Sequence, residues 1–298
     1  MTWILASLIA AFFLGLYELC NKHAVGGNAV FPVIFLGTLC SATVWATLFV
    51  VDAVRPGLLT PALTVDPLTW RQHGQILVKS VIVAISWVFT YFAVKHLPVS
   101  IAGPVRSTGP LWTFTGALVF FAERPTLSQT LGVVVTLLAF WALSLAGRAE
   151  GIRFHRDKWI GFLALGTLLG SVSGLYDKHL MGTLQFRAST VQAWFQFYLV
   201  LLFLPLVIGW KRRWWVRGEF HWRWSIPFIG LTLLVSDYLY FWALRDPEAL
   251  VSVVTAIRRT SVLVGFAGGL LWLGERNGWK KLPAVLGLLA GVALIVLG

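Results

Sequence analysis

The chain has 298 residues, of which 58% are hydrophobic and only 12% charged, and its mean hydropathy is +0.79. That charge content is about half that of a soluble domain, and a soluble core could not hide so many long apolar runs. A net charge of +12 would suggest nucleic acid in a soluble protein. Here the basic residues fall mostly in short gaps between apolar runs, with no RRM, zinc-finger or basic-helix pattern, so membrane topology accounts for most of them and nucleic acid is not an expected partner.

A hydrocarbon core about 30 Å thick needs about 20 apolar residues at about 1.5 Å each. The first run, 3–21, has no basic segment before Trp3 and carries Glu18 and Lys22 where a cleavage site would fall, which predicts a retained helix and not a signal peptide. Further runs follow at 30–51, 75–94, 98–121, 127–146, 159–177, 190–209, 226–244, 249–273 and 282–297. Their length predicts helices, since barrel strands would be about 10 residues of alternating polarity. The expected fold is therefore an all-α membrane protein of ten transmembrane helices. Cys20 and Cys40 both lie in apolar runs and fit helix packing better than a disulfide or zinc site.

The runs repeat. Trp3-Ile4 and Asn21-Lys22-His23 recur as Trp159-Ile160 and Asp177-Lys178-His179. Val99-Ser100, Val105-Arg106, Thr108, Phe114, Gly116, Leu118 and Glu123-Arg124 recur as Val251-Ser252, Ile257-Arg258, Thr260, Phe266, Gly268, Leu270 and Glu275-Arg276. Apolar matches are cheap in this composition, but charged matches at a constant offset are not. Two five-helix units are expected, 1–147 and 157–298. Five is odd, so the second unit enters the bilayer inverted, a design that places transport sites near the midplane between repeats.

Lys and Arg set the expected orientation. One side holds Lys22, Lys95, Arg148, Arg153, Arg156, Lys158, Lys211, Arg212, Arg213, Arg217, Arg223, Arg276, Lys280 and Lys281. The other holds only Arg55, Arg71, Arg124, Lys178, Arg187 and Arg245. This bias places both termini outside the cytoplasm of an inner (plasma) membrane.

Charges within the spans are Glu18, Lys79, Arg106, Asp177, Asp237, Arg258 and Arg259, and such residues default to functional hypotheses. Arg106, Arg258 and Arg259 fall about 13–16 Å into their helices, near mid-bilayer, and the opposite helix directions bring them to one level. Pairing with Asp237 or Glu18 would make them helix locks. Three arginines against one mid-depth acid, Asp237, would leave positive charge for a phosphate or carboxylate. Tyr238 and Tyr240 are candidates for lining that cavity or for plain packing.

Glu18 and Lys22, at i and i+4, with Asp177 and Lys178 form a second set, read either as ordinary snorkelling helix-end residues, Lys22 above all, or as groups that neutralise locally, couple protons or order the site. The Glu123-Arg124 and Glu275-Arg276 pairs read as helix-end structure. Gly166, Gly170 and Gly174, and Gly287 and Gly291, read as close helix packing. The basic and aromatic stretch from Trp210 to Trp224 reads as an anchor against anionic lipid.

On the repeat length, the polar ends of the first and sixth helices and the repeated Glu-Arg pairs, nearly the whole chain resembles the EamA type of the drug/metabolite transporter superfamily. Within that superfamily, Arg258-Arg259, Arg106 and Tyr238 or Tyr240 are similar in placement to the residues that clasp substrate phosphate in plastid phosphate translocators. Arginine stands where lysine is usual, two tyrosines compete for one place, and Glu18 and Asp237 are additional acids.

The resemblance implies a secondary transporter that moves an anionic or phosphorylated metabolite by alternating access. The alternatives are a general amino-acid or drug exporter and a translocase for a phosphorylated lipid. No G-x-x-x-x-G-K-[ST] motif occurs, and the six histidines lie near helix ends or in loops, so neither a cofactor nor an enzyme activity is expected. Expected partners are the solute, membrane lipid and, as one assembly, a second copy in a homodimer.

Overall fold

The computed structural model describes residues 2–97, 105–106, 108–145, 157–214, 218–261, 263–264, 267, 283, 286–287 and 289–294. Among these the chain is helical, with no strand. The helices are α1 (Thr2–Val25), α2 (Val30–Val54), α3 (Trp70–His96), α4 (Gly109–Phe120), α5 (Leu127–Leu145), α6 (Lys158–Lys178), α7 (Ala188–Lys211), α8 (Ser225–Leu244) and α9 (Val251–Arg258). Positions 289–294 are helical as well. Six of these segments are long and apolar enough to cross a membrane: α1, α2, α3, α7, α8, and α6 with the turn that follows it. Their outer faces expose Leu5, Phe12, Leu77, Ile85, Leu165, Leu201 and Phe228, which suits lipid and not water.

α1 packs most extensively on α8, and α3 on α6. α2 packs on α7 and α8, and α9 contacts α4 and α1. Exchanging the first half of the chain for the second turns the α1–α8 pairing into α6–α3. The expected glycine seams hold these contacts close. A Cβ at Gly166 would meet Ser86 O at 3.0 Å, one at Gly287 would meet Ala139 Cβ at 2.9 Å, and one at Gly291 would meet Thr136 N at 2.8 Å. On α2 and α8, which the sequence reading passed over, Gly230 faces Gly37, and Ser41 Oγ donates to Gly230 O at 2.8 Å.

Both faces are tied by loop contacts. At one, Asn28 bonds His221 O and accepts from His221 N (2.8 and 2.9 Å), while His96 stacks on Trp159 at 3.8 Å between ring centroids. At the other, Arg187 pairs with Asp66 at 3.2 Å and Ser189 donates to Thr64 O at 2.6 Å. The loop between α2 and α3 is thereby seated on the start of α7. Ser128, at the start of α5, donates to Leu294 O at 2.8 Å.

Two predicted spans differ from expectation. The run 98–121 was expected as one helix, yet α4 begins at Gly109, with Val105 and Arg106 helical and Thr108 in a turn. The run 249–273 likewise stops as an α-helix at Arg258. The cause is the same repeated threonine. Thr108 Oγ1 donates to Val105 O at 2.8 Å and Thr260 Oγ1 to Ile257 O at 2.7 Å. The backbone N–H of each threonine also bonds three residues back, at 3.2 and 3.0 Å. A hydroxyl competing for the same carbonyl tightens the turn and interrupts the α pattern. Pro110 in the first turn of α4 favours a helix start there. The remainder of 249–273, including Phe266, Gly268 and Leu270, lies largely outside the described residues, as do Val99-Ser100 and Glu275-Arg276.

Candidate functional site

The two interrupted segments carry the arginines. Arg258 Nη2 donates to Asp237 Oδ1 at 2.8 Å and to Ser236 Oγ at 3.3 Å, and its guanidinium lies 4.1 Å over the Tyr240 ring. Its side chain is 17% exposed and that of Asp237 12%. Tyr240 therefore supports the plane of Arg258 through a cation–π contact. Ser236, buried beside Asp237, also donates to Ala10 O at 2.8 Å, tying this cluster to α1.

Arg106 Nη2 pairs with Glu18 Oε1 at 3.2 Å, joining the segment before α4 to α1. Of the two partners open to Glu18, an arginine of the site or Lys22 one turn away, it meets Arg106, and Lys22 is exposed at the end of α1 without an ion-pair partner among the described residues. Desolvation explains the choice, since a half-buried guanidinium needs a counter-charge more than a solvated ammonium does.

Arg259 has no ion pair or hydrogen bond among the described residues, although it is half-buried in the field of Arg106, Arg258 and Glu18. It lies against the start of α4, where a side chain at Gly109 would meet its Nη2 at 3.1 Å. The expected surplus of positive charge thus resolves into one cation. Arg258 and Arg106 are answered by Asp237 and Glu18, and Arg259 is left over.

Lys79 and Asp177 form an ion pair that sequence reasoning missed. Lys79 Nζ bonds Asp177 Oδ1, with side-chain exposures of only 3% and 6%. The ammonium sits 4.5 and 4.8 Å from the Phe195 and Phe241 ring centroids. Lys79 was visible as a charge within a span, but nothing in the sequence said that α3 packs on α6. Asp177 and Lys178 were expected to act together, yet they diverge. Asp177 faces Lys79, whereas Lys178 Nζ bonds Ala249 O at 2.5 Å, across the π-helical turn His179–Thr183.

Tyr238 is not brought to the arginines. Its hydroxyl donates to Ala62 O at 2.7 Å, because two residues along a helix is more than half a turn from Tyr240. Two further tyrosines do reach this region unannounced. Tyr17 and Tyr91 hydroxyls bond at 2.9 Å, next to Glu18 in sequence.

Glu123 has the structural role its duplication suggested. Its carboxylate accepts from Val251 N (2.7 Å), Ser252 N (3.3 Å) and Ser252 Oγ (2.6 Å), capping α9 from the loop between α4 and α5. Glu123→Ala strips three bonds from buried donors, and a loss of about 2–3 kcal/mol is expected. A lowered melting temperature of the detergent-solubilised protein, with Glu123→Asp falling between, checks this.

The fold and these buried charges define a multi-pass integral membrane protein whose interior, and not only its loops, is charged. Residues 1–145 match the family described as the EamA-like transporter family. A solved structure titled "Crystal structure of protein" aligns with a TM-score of 0.73 at 16% identity, covering 98% of this chain and 96% of that one, so the two share a fold. No curated protein matches the sequence.

Proposed function

We propose that the protein is a secondary transporter that carries a small anionic or phosphorylated organic metabolite across the inner membrane by alternating access, using two inverted five-helix units within ten spans. The observation that carries the reading is the count of charges at the two interrupted segments. Among the described residues three guanidinium groups face two carboxylates, and Arg259, beside the start of α4, has none. An anion completes that count, and the partial positive charge at a helix start adds to its attraction. The way the α1–α8 and α3–α6 pairings exchange between halves supports the inverted arrangement.

Arg259 receives the anion, and Arg106 and Arg258 share it. Both of the latter arrive already holding carboxylates that occupy the place of an anion. An incoming phosphate or carboxylate competes with Glu18 and Asp237 for these forks, loosening the links from α1 to the Arg106 segment and from α8 to α9. A ligand that binds one arrangement of the helices better than the other shifts the balance between them. Tyr240 keeps the Arg258 fork in plane. Lys79 and Asp177 hold α3 to α6 beside the site.

Counterflow in proteoliposomes, with phosphorylated, carboxylated and cationic solutes as competitors, tests the reading. Anions are expected to exchange. Exchange of cations alone would refute it.

A further inference from the structure

Nearly all buried hydroxyls in the described interior are used. Ser7, Thr38, Ser41, Ser80, Ser86, Thr113, Ser171 and Ser236 each donate to a backbone carbonyl. Among the exceptions, which include the Thr255 hydroxyl and the Trp45 and Trp194 indoles, two side chains on α7 leave a whole carboxamide unmet. Gln192 and Gln196 are 0% and 1% exposed, and all four of their amide nitrogen and oxygen atoms lack a hydrogen-bond partner. Spaced i and i+4, they lie on one face of the helix. A carboxamide offers two donors and two acceptor lone pairs. Leaving these unmet where water is excluded is costly, so such groups call for a reason.

Gln196 opens on a cavity between α2, α3, α7 and α8, lined also by Thr38, Ser41, Trp87 and Tyr91. Its volume is about 10 Å³, room for one water at most. Gln192 does not line it, and one water, with at most four hydrogen bonds, cannot meet every donor and acceptor of two amides. None of the cavity's lining side chains is charged, so an ionic group has no counter-charge there. Groups that both donate and accept, such as hydroxyls, match the carboxamide pattern. The cavity also adjoins the arginine site. Tyr91, in its wall, bonds Tyr17, and Tyr17 precedes the Glu18 that pairs with Arg106.

We infer that Gln192 and Gln196 are a neutral recognition element for the hydroxylated, polyol-like part of the transported anion, an inference that rests on the anion-transporter reading above. In the arrangement described here the cavity is too small to hold such a solute. It admits the solute when α7 moves away from α2 and α3.

The test is inhibition of counterflow by paired probes, glycerol 3-phosphate against propyl phosphate and glycerate against propionate, with inorganic phosphate as a third. In the unaltered protein the hydroxylated member of the effective pair is expected to inhibit about tenfold more strongly than its partner, the discrimination that unmet buried hydrogen bonds confer. In Gln192→Leu/Gln196→Leu that ratio falls to near one while inhibition by the bare anionic group persists. Gln196→Met alone, a flexible side chain of similar length, is expected to show the same trend if the double variant does not fold. A protein that never discriminates within a pair, or variants that keep the full ratio, would overturn the inference and leave the amides as packing. Absence of inhibition by any of these anions in the unaltered protein would instead remove the transporter reading beneath it.

Discussion

Lys79→Met is expected to lower stability by about 3–5 kcal/mol, the cost of stranding one member of a buried ion pair. The pair has almost no contact with solvent, and it stands inside a segment long and apolar enough to span the membrane. Removing the lysine leaves the Asp177 carboxylate facing Phe195 and Phe241 with no counter-charge. Asp177→Leu leaves the ammonium in the same state, held only by two rings whose cation–π contribution, about 2 kcal/mol for a desolvated cation, does not replace a carboxylate.

The double variant Lys79→Met/Asp177→Leu should recover most of the loss, because two apolar side chains carry no charge to desolvate. The measurement is the apparent melting temperature of the detergent-solubilised protein. Each single variant is expected to fall by about 10 °C. A double variant as unstable as either single one would show that the two positions matter for reasons other than charge matching.

How legible the molecule was depended on the range of the interaction. Span positions followed from local hydropathy, and α1, α2, α3, α6, α7 and α8 appear within a few residues of expectation. The interruptions at Thr108 and Thr260 did not, although the two threonines were noted as a repeated pair. A hydropathy window averages over a single hydroxyl, whereas the helix responds to which carbonyl that hydroxyl takes. The arginines were found because charge in an apolar run is conspicuous, and the Asp237 pair followed from depth. The Lys79–Asp177 pair and the unpaired amides of Gln192 and Gln196 depend on which helices are neighbours. One sequence holds no record of that, even where, as at Asp177, the position belongs to the repeat. Glu123 stood between these cases. Its duplication marked it as structural, but only the structure showed that the helix end it caps belongs to another segment.

The sharpest prediction concerns Arg259, because function and stability should move in opposite directions there. Arg259→Gln removes the guanidinium that, among the described residues, pairs with no carboxylate. With no counter-charge among the described residues its burial is costly, so its loss should leave the melting temperature unchanged or raise it. A charge-assisted bond to the solute is worth about 1.5–3 kcal/mol, so affinity for the anion should fall by about 10- to 100-fold. Arg258→Gln makes the contrast. It strands Asp237 in a nearly closed environment and frees the Tyr240 face, so stability and transport should fall together. Arg259→Lys separates charge from shape. A point charge restores attraction but not the planar fork, and partial recovery is expected. The readings are the half-saturating anion concentration in counterflow and the melting temperature of the same preparation. If Arg259→Gln unfolds the protein as readily as Arg258→Gln does, Arg259 holds the fold together, and the unanswered charge is not the seat of an anion.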